Sequence, residues 1–168
     1  RVAPPAVPTG KVLVGLIGAG IQRSLSPALH EAEARAQGLQ LHYQLIDLDR
    51  SGRGAETLPM LLEAGQVMGF AGFNVTYPCK QAVVPLLDAL SDDARAMNAV
   101  NTVVVEGSRL VGHNTDGSGW AESFARALPG ADLSCVLLLG AGGAGSAIAH
   151  AALRMGVRQL CVHDRDAA

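Results

Sequence analysis

The sequence predicts an α/β fold with a largely parallel sheet, organised as two successive units. Short apolar segments of strand length alternate with helical patterns along most of the chain, which is typical of such sheets. Two of these segments run into glycines, in "GLIGAGIQRS" and in "LLLGAGGAGSA", and each belongs to a different unit. The length of 168 residues and the 49% hydrophobic content are sufficient for one ample core or two small ones.

The first unit, assigned to residues 11–115, follows a Pro-rich lead-in at residues 1–10 that we expect to be flexible. It begins with a predicted buried strand at residues 12–17. Ser26 is the predicted N-cap of the helix that follows, and Gly38 should end that helix.

Strands and helices alternate through the rest of this unit. The further predicted strands lie at residues 42–46 and 69–75 and in "AVNTVVV" and "RLVGHN", and the further helices lie at residues 55–64, from Pro78, and after the N-cap Ser91. Gly107 marks the turn between the last two strands.

The second unit, assigned to residues 116–168, carries a complete G-x-G-x-x-G motif. After a predicted helix at residues 117–128, a strand runs into the motif, which opens a helix and leads to a second strand ending at Asp164. The first glycine makes a tight turn, the second lets the backbone approach a pyrophosphate, and the third lets helix and strand pack closely. The motif therefore predicts dinucleotide binding, against the alternative of a structural turn, by Gly140, Ala141, Gly142, Gly143, Ala144 and Gly145. Asp164, about 20 residues further on, suits the ribose hydroxyls of such a ligand.

The first glycine run, at residues 18–23, does not form a complete G-x-G-x-x-G motif, because it lacks the third glycine. Its helix begins only after a polar loop that carries Ser24 and Ser26. Two hydroxyls beside a helix N-terminus favour a small ligand with a carboxylate. The alternative is an N-cap with a neighbouring surface serine.

Polar side chains also follow several later strands. Asn74, Thr76 and Lys80 lie near the end of one strand, and Asn101 and Asp116 follow others, where α/β sheets place their ligands. A lysine and an aspartate brought together could exchange a proton with a substrate hydroxyl or carbonyl. Taken singly, Lys80 would be a surface lysine and Asp116 a helix N-cap.

Composition argues against several classes of partner. The formal net charge is −2 and only 17% of the residues are charged, so we expect neither nucleic acid nor an anionic membrane as a partner. The three cysteines are widely spaced, which favours reduced thiols in a cytoplasmic protein over a disulfide framework. The five histidines have no metal-ligand spacing, so no metal site is predicted.

Five segments in this order resemble one family, the shikimate and quinate dehydrogenases. They are "SLSPALH", "NVTYPCK", "AVNTVV", "NTDGSG" and "LLGAGGAGSA", and their spacing is also that of the family. The resemblance implies a substrate domain joined to a Rossmann domain with the active site between them. The implied reaction is reversible oxidation of the C3 hydroxyl of shikimate or quinate by NAD or NADP.

The resemblance also implies roles for individual residues. Ser24 and Ser26 would bind the substrate carboxylate, and Thr76, Asn101 and Asp116 would bind its ring hydroxyls. Lys80 would be the proton acceptor in the oxidation direction, paired with Asp116. Residues 140–145 would hold the cofactor pyrophosphate.

Three positions depart from the common family pattern. Arg23 stands where many members have a histidine before the first serine, which looks more like the branch that accepts quinate and prefers NAD. Asn98 replaces a usual glycine, and asparagine tolerates a left-handed backbone better than most residues. Asp164 stands where NADP enzymes of the family commonly have asparagine, and a carboxylate repels a 2′-phosphate. Although Arg165 beside it could meet a phosphate, we expect NAD, with NADP as the alternative.

The chain is shorter than the resemblance requires, because further Rossmann strands and a C-terminal glutamine segment would follow residue 164. We expect a fragment or a processed chain, and two hypotheses stay open. One is an active dehydrogenase, and the other is a truncated, non-catalytic module that binds a shikimate-like acid. A nicotinamide enzyme for another hydroxy acid is disfavoured by the paired serines. Oligomeric state and reaction direction do not follow from these residues.

Overall fold

The computed structural model describes residues 10–165, so nearly all of the predicted lead-in lies outside the described residues. The strands are β1 (Val12–Gly18), β2 (Leu41–Asp47), β3 (Phe70–Val75), β4 (Ala89–Leu90), β5 (Thr102–Glu106), β6 (Arg109–His113), β7 (Val136–Leu139) and β8 (Leu160–His163). The helices are α1 (Ser26–Ala36), α2 (Leu48–Ser51), α3 (Leu58–Val67), α4 (Cys79–Ala82), α5 (Asp92–Met97), α6 (Asp116–Ala127) and α7 (Gly143–Arg154). Short 3₁₀ turns lie at Ala55–Thr57 and Val84–Leu86.

A six-stranded sheet forms the larger part of the molecule, in the order β2-β1-β3-β5-β6-β4. β1 lies between β2 and β3 and is parallel to both, which confirms the predicted parallel α/β arrangement. β5 runs antiparallel to β3 and to β6, because β5 and β6 form a hairpin around Gly107. The carboxyl ends of β1, β2 and β3 therefore meet at one edge.

The main core lies on one face of this sheet, under α3. Phe73 of β3 and Ile17 of β1 are almost fully buried there, together with Leu58 and Leu62 of α3. A smaller cluster of Leu16, Ile21 and Tyr43 occupies the other face. α1 packs against β2 on the smaller cluster's side, where His30 stacks on Tyr43.

Several predicted helix ends agree with the structure, but Ser26 was misassigned, and the helix predicted at residues 55–64 is a 3₁₀ turn at Ala55–Thr57 followed by α3 at Leu58–Val67. The Ser91 hydroxyl accepts the Ala94 N–H as the N-cap of α5, and Gly38 follows α1 at φ +74°. Ser26 is not an N-cap: it is the first residue of α1, and the cap position is Leu25. The Leu25 carbonyl accepts from the Leu29 N–H at 3.0 Å, so Leu25 holds the cap position and the helix starts one residue earlier than predicted.

A second, two-stranded sheet of parallel β7 and β8 follows, with α7 as the connection between the strands. α7 packs on α6, and Arg154 of α7 forms a 2.8 Å ion pair with Asp93 of α5. Leu137 and Leu139 of β7 are exposed on this small sheet. Within residues 10–165 no helix has the length and apolar character needed to cross a membrane.

Candidate active site

Lys80 and Asp116 form an ion pair at the edge where the parallel strands end. Lys80 lies on α4, just after β3, and Asp116 is the first residue of α6. The Nζ of Lys80 lies 2.6 Å from Oδ2 of Asp116, and the side chains are 21% and 29% exposed. The pair is thus shielded but still reachable. Asp116 is not the N-cap of α6, since Thr115 holds that position.

Asn101 fixes the other oxygen of this carboxylate. Its Nδ2 donates to Oδ1 of Asp116 at 2.9 Å and to the Thr115 hydroxyl at 3.0 Å. Its own Oδ1 accepts from the Thr115 N–H at 3.1 Å. The carboxylate is therefore held at both oxygens, and its orientation toward Lys80 is set before any ligand binds.

Ser24 and Ser26 lie together at the N-terminus of α1. Their hydroxyl oxygens are 3.1 Å apart, and the Ser26 N–H donates to Oγ of Ser24 at 3.2 Å. Two adjacent hydroxyls at the positive end of an 11-residue helix can donate to an anionic group.

The first glycine run packs tightly against the segment that carries Thr76. A Cβ at Gly18 would collide with the methyl group of Thr76 and lie 3.0 Å from the Tyr77 carbonyl. The Ala19 N–H donates to that carbonyl at 2.8 Å. These contacts bring the serine loop and Thr76 to the same edge of the sheet.

Asp47, at the end of β2, orders this loop, and it was not among the residues predicted from the sequence. Its carboxylate accepts from the Gly20 N–H at 3.1 Å and from Nε2 of Gln22 at 2.9 Å. Hydrogen bonds, chiefly from Gln22, hold the pKa of Asp47 below its ordinary value. The only feature of the sequence that points to Asp47 is its place directly after a buried strand. Its partners Gly20 and Gln22 lie more than 20 residues away along the chain, so the sequence does not reveal these hydrogen bonds.

The second glycine run has the features of a phosphate-binding turn. A Cβ at Gly145 would collide with the Gly140 carbonyl, so only glycine permits this approach of helix to strand. A Cβ at Gly142 would meet nothing within 4 Å, which leaves open space beside the N-terminus of α7. The residues therefore fit a pyrophosphate, which needs close access to backbone N–H groups.

Asp164 closes the turn from the end of β8. Its Oδ2 accepts the Ala141 N–H at 2.5 Å. Asp164 and Arg165 also line a separate cavity of about 400 Å³ with Leu139, Gly140 and His163.

A cleft of about 480 Å³ lies between the segment that follows β3 and the second glycine run. Thr76, Tyr77 and Lys80 line one wall, and residues 141–144 with Ser146 line the other. A Cβ at Gly143 would lie only 3.9 Å from Cδ of Lys80. Lys80 thus faces the second glycine run across a narrow gap. Within residues 10–165, no group of three or more His, Cys, Asp or Glu side chains could hold a metal ion.

Comparison with known proteins identifies the family. Residues 16–103, more than half of the chain, match the family model described as the shikimate dehydrogenase substrate binding domain. The chain belongs to the shikimate dehydrogenase family. This family membership confirms the resemblance seen in the five sequence segments.

The chain is similar to several proteins of known name. The shikimate dehydrogenase (NADP(+)) of Streptomyces avermitilis is 58% identical over 152 residues, which cover 90% of this chain and 52% of that protein. The quinate/shikimate dehydrogenase (NAD(+)) of Corynebacterium glutamicum strain R is 46% identical over 156 residues, covering 92% of this chain and 55% of that protein. This family member therefore spans about half the length of the curated relatives it matches.

Solved structures agree with the fold. Quinate dehydrogenase from Corynebacterium glutamicum in complex with NAD matches with a TM-score of 0.87 and 45% identity, over 94% of this chain and 56% of that one. Shikimate 5-dehydrogenase from Thermus thermophilus in complex with shikimate matches with a TM-score of 0.81 and 35% identity, over 92% of this chain and 57% of that one. The chain thus covers a little more than half of each of these two structures.

Proposed function

We propose that this protein oxidises the C3 hydroxyl of shikimate or quinate, reversibly, with a nicotinamide dinucleotide. The observation that carries the proposal is the Lys80–Asp116 pair, which faces a G-x-G-x-x-G turn across one cleft. The names of the relatives, shikimate and quinate/shikimate dehydrogenases, support the same chemistry.

The substrate would bind along the edge of the six-stranded sheet. Ser24 and Ser26 would donate to its carboxylate at the N-terminus of α1. Thr76, Asn101 and Asp116 would contact the ring hydroxyls, which can donate to a carboxylate or an amide oxygen as well as accept. In this arrangement residues 11–115 form the substrate domain, and residues 116–168 begin the nucleotide-binding domain.

Lys80 would handle the proton of the reaction. Oxidation of a secondary alcohol releases a hydride from carbon and a proton from oxygen, and a bound nicotinamide supplies the acceptor for the hydride. In its neutral amine form Lys80 Nζ would take the hydroxyl proton in that direction and become the ammonium that pairs with Asp116, and in the other direction the ammonium would return the proton to the carbonyl oxygen. Asp116 keeps Nζ in position through the 2.6 Å contact.

Residues 140–145 would hold the dinucleotide phosphates, and Asp164 and Arg165 would lie at its adenosine end. We propose NAD, because the Asp164 carboxylate accepts from a ribose hydroxyl and repels a 2′-phosphate. NADP is the second candidate, favoured by the Streptomyces relative named for it and by Arg165. Comparing kcat/KM for the two cofactors decides between them, and a clear NADP preference contradicts the first choice.

Absorbance at 340 nm tests the function directly, with NAD and then NADP, and with shikimate and then quinate. We expect turnover that disappears in Lys80→Ala and persists in Lys11→Ala, which removes the only other lysine of the chain, an exposed residue before β1. Equal turnover in both variants contradicts the role of Lys80.

The second candidate function is a module that binds a shikimate-like acid without turnover. It is favoured by the two-stranded second sheet, on which Leu137 and Leu139 lie exposed. A folded sample that binds shikimate in calorimetry and shows no absorbance change with either cofactor selects this function over the dehydrogenase.

A further inference from the structure

Thr102, the first residue of β5, carries a hydroxyl that joins two side-chain amides near the candidate ion pair. In the sheet register it lies opposite Asn74 of β3. Its Oγ1 accepts from Nδ2 of Asn74 at 3.2 Å, and its hydroxyl donates to Oδ1 of Asn101 at 3.0 Å. The hydroxyl thus accepts one hydrogen bond and donates another, and both partners are polar side chains at this edge of the sheet.

The chemistry of the neighbouring groups fixes the direction of these hydrogen bonds. The Thr115 N–H can only donate, so the group of Asn101 that faces it at 3.1 Å is the amide oxygen. The ionised Asp116 carboxylate can only accept, so Nδ2 of Asn101 faces it, at 2.9 Å. An amide oxygen cannot donate. The Thr102 hydroxyl must therefore give its single proton to Asn101, and its oxygen accepts from Asn74.

The hydrogen bonds consequently run in one direction. They start at the Asn74 amide, pass through the Thr102 hydroxyl and end, through Asn101, at a carboxylate oxygen. Hydrogen bonds in such a chain polarise one another, so each strengthens the next. The last of them reaches Oδ1 of Asp116, whereas Nζ of Lys80 contacts Oδ2 at 2.6 Å. A change in the Asn101 amide is therefore passed to the carboxylate that holds Lys80.

Thr102 is also the partner that ties the Asn101 side chain to the sheet. The Asn101 amide bonds to Thr115 and Asp116, which both lie at the start of α6. Its bond with Thr102 goes instead to β5, a strand that is paired with β3 on one side and with β6 on the other. Thr115 is exposed, whereas Thr102 is half-buried. The orientation of the Asn101 amide relative to the sheet therefore depends on the Thr102 hydroxyl.

We propose that Thr102 is a positioning residue: it fixes the Asn101 amide against the sheet and thereby orients the carboxylate that holds Lys80. This inference rests on the proposed function. In that function Lys80 presents Nζ to the substrate hydroxyl, and a carboxylate held at both oxygens limits the positions that Nζ can take. Thr102 acts through Asn101, since its one proton is already given to that residue.

Thr102→Val tests the inference, because it removes the hydroxyl and keeps the size and branching of the side chain. The measurement is acylation of Lys80 by acetic anhydride, followed by peptide mass spectrometry and expressed relative to Lys11, the only other lysine of the chain. Only the neutral amine is acylated, and a well-placed carboxylate keeps Nζ as the ammonium ion. We expect the Lys80/Lys11 ratio to rise about fivefold, as for the loss of one net hydrogen bond.

Three further variants complete the experiment. Thr102→Ser keeps the hydroxyl and should bring the ratio back towards that of the unmutated chain. Thr57→Val is the matched control: it removes another buried hydroxyl, which donates to the Gly54 carbonyl at 2.8 Å, and should leave the ratio unchanged. In an Asn101→Ala background, Thr102→Val should raise the ratio no further, because Thr102 acts through Asn101.

Turnover gives a second measurement of the same effect. With NAD and the better of shikimate and quinate, kcat should fall about fivefold in Thr102→Val and recover in Thr102→Ser. Thr57→Val should have the kcat of the unmutated chain. A purely structural role of Thr102 would lower the melting temperature without this pattern.

The outcomes distinguish the inference from the function on which it rests. A Lys80/Lys11 ratio in Thr102→Val equal to that of the unmutated chain overturns the positioning role, and so does a rise that Thr57→Val shows equally. The acylation ratio requires no turnover. A folded, unmutated chain that turns over neither substrate therefore contradicts the proposed function, while the ratio still decides whether Thr102 orients the pair.

Discussion

The two glycine runs have almost the same letters but different surroundings. In the first run, a Cβ at Gly18 would collide with Thr76, and the Gly20 N–H donates to Asp47. Gly142 of the second run faces open space. A glycine can therefore serve either to let two protein segments touch or to keep room for a ligand, and the surrounding segments decide which.

The sheets beneath the two runs also differ. The first run ends β1, which is flanked by strands on both sides in a six-stranded sheet. The second run ends β7, which pairs only with β8 among the described residues. The first loop is thus a rigid part of a complete core, whereas the second depends on α7 packing against α6.

The largest effect is expected from Gly145→Ala in the second run. The new methyl group would collide with the Gly140 carbonyl and displace the turn. Overpacking of this kind costs about 1–3 kcal/mol, so we expect dinucleotide affinity to fall roughly 10- to 100-fold. Titration of NADH fluorescence measures this, and shikimate binding should not change. An unchanged NADH affinity would contradict the role assigned to the second run.

Gly18→Ala makes the corresponding change in the first run. Collision with Thr76 should lower the free energy of unfolding by about 1–3 kcal/mol and weaken shikimate binding, while NADH binding is preserved. Urea denaturation and calorimetry measure the two effects. Gly10→Ala is the control, since a Cβ there meets nothing within 4 Å. Equal stability of the two variants would show that the first run is not packed as described.

Gly142→Ala separates the effect of a new methyl group on stability from its effect on ligand binding. Because the methyl group enters open space, the urea midpoint should not change. The same methyl group would occupy the approach to the helix N-terminus, so NADH affinity should fall by about tenfold. A fall in stability without a change in NADH affinity would reverse this interpretation.

The smallest effect is a pH dependence at Asp47, which orders the first run. Its folded-state pKa is lowered from 3.8, so the stability that it contributes is present above this pH and is lost as the pH falls through the folded-state value. Asp47→Asn should melt at a lower temperature than the unmutated chain at pH 7, and the difference should shrink below pH 3.8. Melting curves between pH 3 and 7 test this, and a difference independent of pH would contradict it.

Local features of the chain were predictable where a residue's own preferences decide its conformation. Asn98 adopts the expected left-handed conformation at φ +47°, and Ser91 caps its helix as its type and position indicate. The predicted start of α1 was wrong by one residue, because the Leu25 carbonyl accepts from the Leu29 N–H, and Leu25 has no polar side chain that could mark it as a cap residue.

The order of residues was enough to predict the alternation of strands and helices and the turn made by the second glycine run, whose role in dinucleotide binding stays a prediction. These follow from short-range rules, since glycine geometry, capping and apolar periodicity act within a few residues. The contact of Lys80 with Asp116, and the hydrogen bonds from Gly20 and Gln22 to Asp47, depend instead on the folded chain. These partners lie between 25 and 36 residues apart along the chain, and only the folded sheet with its loops and helices brings them together.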